Sequence, residues 1–118
     1  MAADDDRICR ALLALHKSVL AAEREHLEGV HGSLSSAAFL QIVSDPVRYG
    51  WLQPLSRLIL AFEEGEEKRA PEDELRAQAR DLLLPPQQET PFGRRYLSLM
   101  QREPALVLAH AELAKLLR

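Results

Sequence analysis

A single cysteine, Cys9, leaves the 118-residue chain without an internal disulfide or a cysteine-rich zinc module. Aromatic residues make up 5% and glycines number five, too few for the strands and turns of a sandwich or barrel. No sustained period-two alternation of β-branched residues occurs, so no strand is expected. Unbroken apolar runs extend only a few residues, far short of a membrane span. The opening Met-Ala-Ala-Asp-Asp-Asp-Arg has neither the basic n-region nor the apolar h-region of a secretory signal. With the lone cysteine, this leads us to expect a cytoplasmic protein that does not engage a membrane. Catalytic signatures are lacking as well: there is no Gly-x-Ser-x-Gly elbow, no Gly-x-x-x-x-Gly-Lys phosphate loop and no His-Glu-x-x-His. A net charge of −3 supplies no general attraction for nucleic acid, and none is expected as a partner.

What the chain does have is leucine (22 residues) and alanine (16), with 47% hydrophobic and 28% charged residues overall. That balance favours helices and a folded core. We therefore expect one all-α domain over residues 1–118, a compact bundle of about four principal helices plus one or two short connecting helices. Ile8, Leu12, Leu15 and Val19 recur at helical spacing and place a long first helix over about Asp5 to Glu28, stopped by Gly29 and Gly32. Ser33, Ser35 and Ser36 offer caps for a short helix near Ser36 to Ser44, whose apolar residues surround it and predict that it is largely buried. Asp45-Pro46 reads as a cap and first turn, and Pro54 opens a helix carrying Leu55, Leu58, Ile59 and Phe62. That helix fades through Glu63 to Glu67. Pro71 opens another on Leu75, Ala79, Leu82 and Leu83, ended by Pro85-Pro86, and Gln87 to Glu89 form a polar loop. Thr90-Pro91 caps a helix with Phe92, Tyr96, Leu99 and Met100 on one face and Arg94 and Ser98 opposite. Glu103-Pro104 bends the chain into a last helix on Leu106, Leu113 and Leu117. The first helix should pack against the third, fifth and sixth of this series.

Several polar residues fall inside the apolar stripes: His16, Glu23 and His26 in the first helix, Tyr96 in the fifth and His110 in the sixth. Buried polar groups need hydrogen-bond partners, and these residues are the obvious partners for one another. They form either a structural network, a small-ligand pocket or a metal site. Glu23-x-x-His26 and Glu28-x-x-His31 have the spacing used by ferritin-like di-iron sites, which makes Glu23, His26 and His110 candidate metal ligands. Both motifs lie in one segment, however, with Gly29 expected to break the second. Cys9, Trp51 and Phe62 read as core. Tyr49-Gly50-Trp51 reads alternatively as the lip of a pocket with Arg48 or Arg57 at its rim. Charge is uneven, −4 over residues 63–81 and +3 over 91–118. Solvated helix faces account for this, as would self-association of opposite patches or an anion site near Arg94 and Arg95.

Leu15-His16-Lys17 with Ala22-Glu23, then Asp45-Pro46, Trp51-Leu52, Pro54-Leu55-Ser56, Arg95-Tyr96-Leu97, Pro104 and Leu108-Ala109-His110-Ala111 form a pattern along nearly the whole chain. It resembles a group of small all-helical proteins of Gram-negative bacteria that carries no assigned activity. The resemblance implies a stand-alone cytoplasmic domain and nothing about mechanism. The residues themselves favour a non-catalytic protein-interaction or ligand-binding module, with a protein partner or a second copy of the chain, or a small molecule, as what it binds. No cofactor is required. The alternative is a metal-binding or small-molecule-acting bundle. Candidate binding residues are His16, Glu23, Trp51, Arg95, Tyr96 and His110.

Overall fold

The computed structural model describes residues 2–64, 71–85 and 89–118, with the backbone alone at 2–5 and 72. Its elements are α1 (Ala2–His31), α2 (Ser36–Val43), α3 (Pro46–Tyr49), a 3-10 turn (Gly50–Leu52), α4 (Gln53–Glu63), α5 (Glu72–Leu83), α6 (Pro91–Met100) and α7 (Pro104–Leu117). No strand occurs among the described residues, and the all-α expectation holds. The acidic run beyond Glu64 and most of the loop read over Gln87 to Glu89 lie outside the described residues.

α1 organises the molecule. At about 1.5 Å per residue its 30 residues account for the longest dimension of the molecule, 45 Å. Its stripe of Ile8, Leu12, Leu15 and Val19 is sealed from solvent. Against it lie α7 along much of its length, α4, and α6, the three neighbours expected. Leu55 and Phe62 of α4, Leu99 of α6 and Leu106, Leu113 and Leu117 of α7 join the same cluster. α5 closes the far side with Leu75, Ala79 and Leu83. Arg80 ties it down by donating from Nη1 to the Leu117 carbonyl at 2.8 Å, a cation on an orphan carbonyl at a helix C-terminus. Each fully buried leucine contributes on the order of 1.5–3 kcal/mol, so this one cluster dominates the favourable energy.

Helix starts follow local chemistry. Ser35 Oγ accepts from Ala38 N–H, Asp45 Oδ1 from Val47 N–H and Thr90 Oγ1 from Gly93 N–H, at 3.1, 2.9 and 2.9 Å. Each satisfies a donor that the first helical turn leaves unpaired. Glu103 differs, giving α7 no side-chain cap.

Two expectations fail here. Gly29 does not stop α1, which begins at Ala2 and runs through Gly29 to His31. An interior glycine costs only about 1 kcal/mol, too little to end a helix that is otherwise held. The stop is Gly32, which takes φ +85° and donates its N–H to the Glu28 carbonyl at 2.8 Å. The second failure is α2, expected to be largely buried. Only Phe39 is buried, and Leu40 is 60% exposed. Phe39 joins Leu27 and Tyr49 in a small separate cluster, so α2 covers the C-terminal half of α1 while its outer side meets solvent.

Candidate functional site

The face of α6 opposite its apolar stripe carries Pro91, Arg94, Arg95 and Ser98, at the i, i+3, i+4, i+7 spacing of one helix face. The last turns of α1 carry His26, Leu27, Val30 and His31. These two faces, with Arg48 and Tyr49 of α3 and Trp51 of the 3-10 turn, line an open cleft of about 620 Å³. Three arginines and two histidines thus face a cavity that, among the described residues, no carboxylate lines.

Beneath it sits Glu23, with no exposure to solvent, whereas the Arg95 side chain is 40% exposed. Arg95 donates to it from Nε to Oε1 at 3.1 Å and from Nη2 to Oε2 at 3.2 Å. Tyr49 donates its phenol proton to Oε2 at 3.2 Å. The bidentate fork fixes the guanidinium plane, and the Trp51 ring, 5.8 Å away, supports the cation from its face. Burial, then the Glu23 carboxylate, push the Tyr49 phenol pKa up, so it remains a donor. Glu23 therefore positions Arg95 and balances its charge. The Arg48 and Arg94 side chains make no hydrogen bond or ion pair among the described residues and add unbalanced positive charge to the cleft.

The remaining polar residues of the core stripes separate instead of forming one network. Tyr96, fully buried, shares a 2.6 Å hydrogen bond with Nδ1 of half-buried His110. Burial pushes the Tyr96 pKa up and the His110 pKa down. With its proton on Nε2, the neutral imidazole accepts from the phenol. His16 meets Ser56 Oγ at 3.4 Å, and burial lowers its pKa also. Of the mutual pairing expected among these residues, Tyr96 with His110 is present, whereas His16 turns to Ser56 and Glu23 to Arg95 and Tyr49. His16 and Glu23 lie two turns apart on α1, and a neighbouring element supplies a nearer partner at each level. His26, expected within the core sector, is exposed: at that end of α1 its flanks border open clefts instead of packed helices.

Among the described residues no group of three His, Cys, Asp or Glu side chains stands close enough to hold a metal ion. Glu23, His26 and His110 accordingly do not converge. Glu28, of the second Glu-x-x-His, is used elsewhere: its Oε2 accepts from Leu34 N–H at 2.8 Å and pairs with Arg24 at 3.7 Å, tying the α1–α2 loop back.

Trp51 is only partly buried and stands at the lip of the cleft beside Tyr49. Arg48 is at the rim, whereas Arg57 turns to Gln53 at 3.1 Å on its own helix. Rings continue from the cleft into the core in series, Tyr49–Trp51–Phe92–Tyr96–His110, with successive centroids 6.2, 6.4, 5.2 and 5.5 Å apart. The partner roles of Tyr49 and Ser56 had no signal in the sequence, since each comes from an element whose placement depends on the fold.

No family model matches this chain, and no curated protein or solved structure matches it either.

Proposed function

We propose that the chain is a non-catalytic ligand-binding module that holds a small organic anion in the cleft between α1, α3 and α6. The observation that carries this reading is the convergence of Arg48, Arg94 and Arg95 with two aromatic rings on a cavity lined, among the described residues, by no carboxylate. Arg95 is pre-oriented by a buried counter-charge, so binding need not order it, and preorganisation of this kind lowers the cost of association. Arg48 and Arg94 supply the unbalanced charge. The overall charge of −3 works against a polyanion and leaves a compact anion as the better fit. Glu23, the acid paired with Arg95, has both oxygens engaged, which suits support and not proton transfer.

The test uses Trp51, the only tryptophan of the chain, as its reporter. Titrating the protein with simple carboxylates and with inorganic phosphate should change its emission saturably. Arg94→Ala should weaken binding about ten-fold or more, the usual effect of losing a charge-assisted hydrogen bond. An unchanged emission across both anion classes, with no amide shifts around residues 91–98 by NMR, would rule the reading out.

A further inference from the structure

Trp51 and Pro91 each have two sides. They line the arginine cleft and also a second pocket of about 280 Å³, whose other walls include Gly50, Pro54, Leu82 and Phe92. The two cavities differ in chemistry. The first is cationic. The second is chiefly apolar, with Thr90 and Asp81 as its polar members. A ligand crossing the Trp51–Pro91 divide would have an acidic group at one end and an uncharged, apolar body at the other. Asp81 disfavours a second negative charge at the far end.

We propose, resting on the anion reading of the cleft, that its ligand is a free amphipathic monoanion: an acidic head group on Arg94 and Arg95, and a single unbranched apolar tail in the pocket between the 3-10 turn, α5 and α6. Charge complementarity selects the head. Pocket size suits a short tail, because about 280 Å³ is the space of roughly nine water-sized units at about 30 Å³ each. That capacity fits one short chain and not the paired chains of a membrane lipid.

A homologous series tests this: acetate, butyrate, hexanoate and octanoate, with butyl and octyl phosphate for the alternative head, each below its micelle concentration and read by Trp51 emission and calorimetry. Affinity should rise about two- to four-fold per methylene up to octanoate, as burial of each CH₂ requires. Gly50→Leu supplies the control. Gly50 lines this pocket, has a negative φ of −58°, and a Cβ built there meets nothing within 4 Å, so the backbone accepts a side chain at the pocket wall without a clash at Cβ. In this variant butyrate should bind as in the wild type, while the gain from butyrate to octanoate disappears.

Equal affinity across the wild-type series would overturn the tail pocket and leave the anion reading standing. A chain-length gain that survives in Gly50→Leu would place the tail elsewhere and also overturn it. Failure of every anion to bind would remove both. Binding to vesicles of an anionic phospholipid, with none to octanoate or octyl phosphate, would replace the free amphiphile by a membrane surface. If Gly50→Leu fails to fold, equal affinity across the wild-type series still overturns the tail pocket.

Discussion

Glu23 and Arg95 form one ion pair with two very different ends. The carboxylate has no access to water and the guanidinium has a good deal. Removing either partner therefore has unequal consequences. Arg95→Ala leaves a buried carboxylate with the Tyr49 hydroxyl as its remaining partner, and should cost about 3 kcal/mol, since an uncompensated buried charge loses several kcal/mol. Glu23→Gln leaves a guanidinium that can rehydrate and an amide that can still accept from Tyr49, and should cost about 1 kcal/mol, near the worth of an ordinary hydrogen bond. Urea denaturation of the two variants measures the difference. Equal losses would show that water reaches the Glu23 site. Under the proposed function, Glu23 and Tyr49 are positioning residues, and Arg94 and Arg95 are the groups that would meet a ligand.

Helix α1 shows how an element is limited. Two glycines sit near its end, and they act oppositely. Gly29 has ordinary helical backbone with open space around it, so Gly29→Ala should stabilise the protein by about 0.5–1 kcal/mol through helix propensity. Gly32 has φ +85°, where a Cβ is strained whatever the space, and Gly32→Ala should destabilise by about 1 kcal/mol. Thermal melts of the two single variants should shift in opposite directions. Shifts of the same sign would mean that the end of α1 is held by its loop contacts, among them Arg24 Nη2 to the Leu34 carbonyl at 2.6 Å, and not by the glycine cap. The position of this end matters beyond stability, because His26, Leu27, Val30 and His31 form one wall of the cleft.

Across the whole molecule, two half-buried histidines on different helices connect stability to pH. Desolvation lowers the pKa of both His16 and His110 below the value of 6.5 that they regain on unfolding. The folded state therefore resists protonation more than the unfolded state does. Stability should be fully present above about pH 6.5 and should fall as pH drops through the lowered folded values. The urea midpoint of the wild type should be level near neutrality and decline as pH falls below about 6.5, ahead of most carboxylates. The double variant His16→Gln, His110→Gln should lack that decline. A wild-type midpoint that rises as pH falls through this window would reverse the assignment and mean that both rings gain a partner for their charge.

Much of the architecture is legible in the residue order because helix formation and one-sided burial are local properties. The stripes on α1, α4, α6 and α7, the caps at Ser35, Asp45 and Thr90, and the polar face of α6 all follow from spacing along the chain. The burial of α2 does not, because a ring of apolar residues does not say whether a second layer exists to cover it. The partners of Glu23 are decided the same way. Its neighbours within α1 cannot reach its carboxylate, and Arg95 and Tyr49 arrive from elements 72 and 26 residues away. The cleft itself belongs to the tertiary structure: the residue order offers a pocket lip at Tyr49-Gly50-Trp51 with Arg48 and, separately, an anion site near Arg94 and Arg95, and only the packing of α3 and α6 at the end of α1 joins them. Which faces are apolar follows from the period of the residues alone. Only the fold decided which polar groups share a cavity, since that depends on packing between distant segments.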